Sequence, residues 1–287
     1  MPARLLDGRA IAAQVRDELR TLAEEYFQRH GRPAGLAILC VGAQPAADVY
    51  VRQLLREAQN IGAHGSLVTL PEDIEDDALR ASIEALNDDD NTQGLIVQMP
   101  LPPHLSTRVV AEAISPRKDV DGISMRSAGN LFLRYPSFVP ATCAAVVELL
   151  DRYEIAISGQ RVTIIGASNT VGKPLAFMLL TRDATVSVCH IYTRDLAHWT
   201  RQSDIIISAA GKANLLTADM VRPDTVVVDV GINVKADGSI VGDVDFESVR
   251  LVAGALSPVP GGVGPLTPLM ALKQMLLAPS VWESHAE

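Results

Sequence analysis

Eight short runs of aliphatic residues punctuate this chain, and none alternates cleanly with polar residues. They lie at 36–41, 66–70, 95–98, 161–165, 185–190, 205–209, 225–230 and 251–256. A strand apolar on both sides must be covered on both faces, which is the pattern of parallel sheet. Parallel neighbours need crossover connections, and amphipathic helical stripes supply them. Ile11, Val15, Leu19 and Leu22 fall on one stripe, Leu79, Ile83 and Leu86 on another, and Leu269, Leu272 and Leu276 on a third. Strand–helix alternation of this kind specifies an α/β fold.

At 287 residues the chain is long enough for two ordinary domains. The pattern breaks at YPSFVP, ending at Pro140, so residues 1–140 are expected to form one α/β lobe and 141–266 a second. The last helix, 267–287, is expected to complete the first lobe, with a ligand cleft between the two. Charge excludes some functions. With 25 basic against 34 acidic residues and no basic block, the chain lacks the clustered cations that nucleic acid or an anionic membrane needs. No apolar run approaches the ~20 residues of a membrane span. Cys40, Cys143 and Cys189 cannot all pair, and the N-terminal MPARLLDGRA is charged. A soluble cytoplasmic protein is therefore expected. His104, His190 and His198 are not spaced like a zinc site, so no metal is expected.

Two regions carry chemistry. In the second lobe, RVTII runs straight into Gly166-Ala167-Ser168-Asn169-Thr170-Val171-Gly172, and Lys173-Pro174 opens a helix. Glycines at a strand–helix turn let a pyrophosphate approach the helix N-terminus, although the spacing is not the usual dinucleotide fingerprint and an ordinary tight turn fits equally. The next strand ends at His190, Ile191 and Tyr192, with neither the acid of an NAD site nor the arginine of an NADP site.

In the first lobe, 48–62 reads as a helix that Asp48 caps and Gly62 ends, with Tyr50, Leu54 and Ala58 on one face. Such a tyrosine serves packing or catalysis. Gln98 ends a buried strand and is followed by Pro100, Leu101 and Pro102, a rigid polar edge. KDVDG places Asp121 on a loop, where Asp-Gly is also ordinary turn chemistry, and PVPGGVGP at 258–265 has little packing capacity and reads as a ligand-facing loop.

Together these segments resemble the methylenetetrahydrofolate dehydrogenase/cyclohydrolase family, the bifunctional one-carbon folate enzymes. The resemblance rests on Asp7-Gly8, the Tyr50 helix, VQMPLP, KDVDG, GASNTVGKP, DVGIN at 229–233, GDV at 242–244 and PVPGGVGPLT, in that order along the chain. It implies a folate-binding domain and a Rossmann-like domain, usually in a homodimer. It also implies oxidation of 5,10-methylenetetrahydrofolate to the methenyl form by hydride transfer to NAD or NADP. Tyr50, Gln98 and Asp121 match the family's catalytic folate-site residues, and Pro100, Leu101, Gly261, Gly262 and Pro265 match positions lining that site. Gly166, Ala167, Ser168, Val171, Gly172, Ile191, Tyr192, Ile232 and Thr267 match the cofactor side.

Three departures bear on activity. The family carries lysine four positions after the tyrosine and this chain has Leu54, so cyclohydrolase activity is expected to be weak or lost. Pro140-Ala-Thr-Cys143 replaces Pro-Cys-Thr-Pro. Ala167, Ile191 and Tyr192 offer no cation to a 2′-phosphate, while Arg194 lies two residues on; the balance favours NAD. The alternatives are a fully bifunctional enzyme, a non-catalytic folate-binding paralogue, and an enzyme diverged to a related pterin.

Overall fold

The computed structural model describes residues 2–42, 45–135 and 137–283, so Pro136 of the YPSFVP segment lies outside the described residues. The elements begin with β1 (Arg4–Leu5), α1 (Gly8–His30), β2 (Gly35–Val41), α2 (Pro45–Asn60), β3 (His64–Leu70), α3 (Asp76–Asp88) and β4 (Gly94–Val97). Next come α4 (Thr107–Ala113), α5 (Met125–Leu133), α6 (Ala141–Arg152), β5 (Arg161–Ile165), α7 (Gly172–Leu180), β6 (Thr185–Cys189) and α8 (Leu196–Thr200). The chain closes with β7 (Ile205–Ser208), β8 (Val226–Asp229), β9 (Asn233–Val234), β10 (Ile240–Val241), α9 (Phe246–Val249), β11 (Ala255–Leu256) and α10 (Thr267–Glu283).

These elements form two units. The three-stranded unit comprises residues 13–141 and 268 onward. Its parallel sheet has the order β3-β2-β4, with Ile38 opposite Leu67 on one side and Ile96 on the other. The centre strand is buried almost throughout, as its unbroken aliphatic run requires. Leu39, Val41, Leu95 and Val97 pack with Leu79 and Ile83 of α3, both fully buried, each worth about 1.5–3 kcal/mol. Helix α10 is largely apolar and packs into the core: Leu269, Met270, Ala271, Leu272 and Met275 are all buried. Gln274 anchors it, donating to the carbonyls of Val120 (2.7 Å) and Val139 (2.9 Å) and accepting from Val139 N–H (2.8 Å).

The six-stranded unit comprises 142–267 together with the first twelve residues. Its sheet runs β1-β11-β8-β7-β5-β6, and every pairing is parallel. The order reverses at β5, with β6 on one side and β7 and β8 on the other, which is where doubly wound sheets bind dinucleotides. Beyond β8 a short antiparallel pair, β9 and β10, interrupts the alternation.

Four features differ from the sequence reading. Residues 2–12 belong with the second lobe rather than the first, because β1 pairs with β11 through Arg4 opposite Ala255 and Leu5 opposite Leu256. The expected strand at 251–256 is only Ala255–Leu256, since the N–H groups of Leu251, Val252 and Ala253 close turns back onto Ser248 and Val249. Helix α2 begins at Pro45, so Asp48 lies inside its first turn, where its charge complements the helix dipole, and does not cap it. Finally, the strands expected at 95–98, 185–190, 205–209 and 225–230 stop one residue short, at Val97, Cys189, Ser208 and Asp229.

Candidate active site

In the three-stranded unit, the first turns of α2, the end of β4 and the turn after Lys118 supply the polar groups. Leu54, Val51 and Ala58 form the buried stripe of α2, and Arg52 and Arg56 are exposed, as a helical repeat dictates. Glu57, on the buried side, holds Arg16 of α1 with a two-point ion pair at 2.7 and 3.0 Å. Tyr50 stands one turn before Leu54. Burial pushes its phenol above the ordinary range, and the Asp121 carboxylate adds to the push, so Tyr50 keeps its proton and can donate it in a hydrogen bond.

Asp121 is the poorly satisfied member of this group. Its carboxylate accepts from Ala141 N–H at 3.4 Å, a long bond. Burial raises its pKa to about 6, and the charge of Asp119 works in the same direction. Asp119 itself is fully buried and accepts from Ile123 N–H (2.9 Å) and Ser124 N–H (2.8 Å), which fixes the turn that presents Asp121. Sequence reading missed Asp119 because Lys-Asp-Val-Asp-Gly shows two acids without showing which one faces inward. Lys118 is committed elsewhere: its ammonium donates to the carbonyls of Leu86 (3.2 Å) and Asp89 (2.7 Å) at the end of α3.

Gln98 follows β4. Its Nε2 donates to the Met99 carbonyl at 2.8 Å, which sets the amide orientation, and leaves Oε1 buried without a donor among the described residues. A buried acceptor left in this state carries a penalty of about 1–3 kcal/mol unless a ligand satisfies it. Pro100 is exposed. The Leu101 side chain packs in the core with Val97 and Leu105.

The six-stranded unit holds the remaining predicted residues. Gly166 has φ +120°, and a Cβ there would sit 2.2 Å from the Ala209 carbonyl oxygen; a Cβ on Gly172 would sit 1.9 Å from that of Gly166. Only glycine permits so tight a turn. The turn opens onto the N-terminus of α7, where Ser168 Oγ accepts from Val171 N–H (3.0 Å) and Gly172 N–H (3.4 Å), leaving its own hydroxyl proton free to donate. Cys143 of α6 supports the same turn through its thiol, which donates to the Val171 carbonyl at 3.3 Å. A glycine cradle at a helix N-terminus, beside the reversal of strand order, fits a dinucleotide pyrophosphate. Ile191, Tyr192 and Ile232, at the ends of β6 and β8, are 87%, 84% and 67% exposed. Apolar side chains held out at the carboxyl ends of parallel strands suit the flat faces of such a ligand. Gly261 and Gly262 are buried against the start of α1: Gly8 N–H donates to the Gly261 carbonyl at 2.8 Å. Pro265 is half-buried beside them, and Thr267 opens α10 with Oγ1 on the Val263 carbonyl at 3.5 Å.

The structure thus brings Tyr50 and Asp121 together. In the six-stranded unit, the loops after β7 and β8 are held by two carboxylates, Asp229 and Asp243, which sequence reading quoted only as parts of motifs. The available signal was an acid beside glycine at each place, in DVGIN and GDV.

Comparison with known proteins gives concordant results. Residues 6–121 match the family model for the tetrahydrofolate dehydrogenase/cyclohydrolase catalytic domain, and residues 140–281 match that for its NAD(P)-binding domain. The bifunctional protein FolD of Cupriavidus necator is 47% identical over 278 residues, covering 97% of this chain and 98% of the relative. Among solved structures, the bifunctional FolD methylenetetrahydrofolate dehydrogenase/cyclohydrolase of Campylobacter jejuni superposes with TM-score 0.94 at 44% identity, covering 97% of this chain and 99% of that one. The Trypanosoma brucei enzyme, complexed with NADP and an inhibitor, superposes with TM-score 0.93 at 35% identity over the whole of both chains.

Proposed function

Since the chain belongs to the tetrahydrofolate dehydrogenase/cyclohydrolase family, we propose that Tyr50, Gln98 and Asp121 hold the folate while the Gly166–Gly172 turn holds the dinucleotide. The protein is a methylenetetrahydrofolate dehydrogenase that works with a nicotinamide dinucleotide. The observation that supports this assignment of residues is the buried, donorless Oε1 of Gln98 together with the weakly satisfied carboxylate of Asp121. Both are acceptors, and a pterin ring edge carries N–H donors.

The reaction asks little acid–base chemistry of the protein. A hydride leaves the methylene carbon between two folate nitrogens, whose lone pairs stabilise the methenyl cation left behind. When bound, the dinucleotide supplies the hydride acceptor. Asp121 and Gln98 accept the ring's N–H groups and fix its rotation. Tyr50 packs against the folate and donates a hydrogen bond from its hydroxyl. Orientation of this kind is a large share of the catalysis available to such a step. Following the reduced dinucleotide with methylenetetrahydrofolate and each of NAD and NADP tests the reading; no reduced cofactor with either would overturn it.

Leu54 supports the further proposal that methenyl hydrolysis is weak or absent, because it fills with buried hydrocarbon the place of the family's lysine. Full bifunctionality is the second reading, favoured by the name that the Cupriavidus relative carries. The balance of cofactors is proposed to favour NAD. Ala167, Ile191 and Tyr192 present no cation, and exposed Arg194 is the nearby cation after β6. The expected result is a higher kcat/KM with NAD than with NADP. A clearly higher value with NADP overturns it, and Arg194→Ala then reports whether that guanidinium reads the 2′-phosphate. A homodimer in the cytoplasm is also proposed. Its support is the family resemblance, the position of β6 at the sheet edge with Val188 and Leu180 exposed, and three cysteines in the thiol form. Light scattering on the purified protein decides the oligomeric state.

A further inference from the structure

The loops after β7 and β8 are closed around two buried carboxylates that the reaction itself does not call for. Asp243 is fully buried and receives five donors. Three are consecutive backbone N–H groups just past β7: Ala210 (2.6 Å) and Gly211 (3.1 Å) on Oδ2, and Lys212 (2.9 Å) on Oδ1. The others are Ser208 Oγ at 3.2 Å and Asn233 Nδ2 at 3.0 Å. Three successive N–H groups converging on one point form an anion-binding nest, and here the protein fills it with its own charge. Asp229, the last residue of β8, accepts from Gly231 N–H (3.0 Å), Asp243 N–H (3.0 Å) and Val244 N–H (2.9 Å).

The clasp has no slack. A Cβ on Gly231 would lie 2.1 Å from Asp243 Oδ1, and one on Gly242 would lie 1.8 Å from Asp229 Oδ2. Satisfying these N–H groups is one task of the carboxylates, since an apolar plug of similar volume would leave them buried without an acceptor. What carboxylates add is direction, because each oxygen dictates where several N–H groups point. The segments so directed are the carboxyl ends of β7 and β8, on the far side of the strand-order reversal from β6. With the adenosine ribose beside β6, that side belongs to the nicotinamide half of a dinucleotide. Ile232, between Gly231 and Asn233, is held out from the clasp with its apolar side chain exposed.

We propose that Asp243, steadied by Asp229, is a positioning residue for the nicotinamide half of the bound dinucleotide, acting by locking the 208–212 and 229–233 loops into a single wall. The proposal rests on the dinucleotide reading of this unit. Asp243→Asn keeps the size and one acceptor oxygen but turns an amide N–H₂ toward donors.

The test compares two probes by calorimetry: the reduced dinucleotide that the wild type binds more tightly, and ADP-ribose (or its 2′-phosphate), which lacks the nicotinamide. In Asp243→Asn the Kd for the dinucleotide should rise roughly tenfold while that for ADP-ribose stays within about threefold, consistent with charge-assisted bonds lost on one half of the site. Asn233→Ala removes one donor and inserts no new polar group. It should show the same asymmetry at about threefold, and it decides the matter if Asp243→Asn does not fold. Unchanged affinity for both probes overturns the proposal, as does an equal loss for both, which marks general structural damage. A wild type that binds neither probe overturns the dinucleotide reading, and the proposal with it.

Discussion

Methenyltetrahydrofolate should decay with this protein far more slowly than hydride is transferred, or no faster than without it, in a buffer that does not itself catalyse hydrolysis. Attack of water on the methenyl carbon needs a group that donates or moves a proton, and general acid–base help of this kind is typically worth about 10²–10⁴-fold. Position 54, where the family carries its lysine, holds a fully buried leucine. Four polar residues of the chain, Arg52, Arg56, Lys118 and Gln53, do not replace it. Arg52 and Arg56 are exposed on the other side of α2, and the Lys118 ammonium is held by the carbonyls of Leu86 and Asp89. Gln53 is half-buried, but its amide neither gains nor loses a proton at neutral pH. Leu54→Lys should restore part of the hydrolysis. Burial would lower the ammonium pKa and bring it nearer the range in which a lysine exchanges protons. Hydride transfer is assayed in parallel so that loss of the fold is not mistaken for failed rescue. Enzyme-dependent decay in the wild type, at a rate comparable to hydride transfer, would sink this expectation. A folded but silent Leu54→Lys would move attention to Cys143, which lies where the family has proline.

Removing the Asp121 carboxylate should cost the dehydrogenase about ten- to a hundredfold in kcat/KM for each charge-assisted bond it makes to the folate, at roughly 1.5–3 kcal/mol apiece. Asp121→Ala is the deletion, and Asp121→Asn keeps one acceptor oxygen. The pH dependence supplies a second readout. Burial raises the Asp121 pKa to about 6, so the carboxylate is ionised above that value and gains a proton below it. An ionised acceptor binds N–H donors more strongly than a neutral acid does. Wild-type kcat/KM for the folate should therefore fall as pH drops through about 6, and Asp121→Asn should lack that limb. Wild-type-like kinetics in Asp121→Ala would remove the residue from the site.

The central strands are legible because a strand buried on both faces leaves an unbroken aliphatic trace, as Gly35–Val41 and Ile205–Ser208 do, whereas the edge strands β3 and β6 are partly exposed. Elements whose pairing is set by distant residues left no such trace. Strand β1 is two exposed residues, Arg4 and Leu5, and exists because Ala255 and Leu256 lie beside it. The start of α2 was misplaced because Asp48 is as acceptable inside a first turn as at a cap. In the candidate site, Tyr50, Gln98 and Asp121 stand out through the resemblance, whereas the packing of Leu101 against Val97 and Leu105 has no local signal. The carboxylate clasp was unreadable. The donors to Asp243 come from 208–212 and from Asn233, and no local pattern announces that one acid will collect them.

The route of the chain limits how this protein can be taken apart. It passes from the six-stranded unit to the three-stranded one after residue 12, returns after residue 141 and leaves again after residue 267. A fragment ending at 141 would carry β1 without the sheet that β1 completes. It would also lack Gln274, whose amide joins Val120 to Val139. A fragment beginning at 142 would expose the side of β11 that β1 covers and would trail a helix whose apolar surface has lost its cover. Neither half is therefore separable by one cut. Swapping a dinucleotide module with a relative requires three junctions chosen together, so grafting experiments on cofactor preference are better confined to side chains on the loops after β5 and β6 than made by exchanging whole lobes.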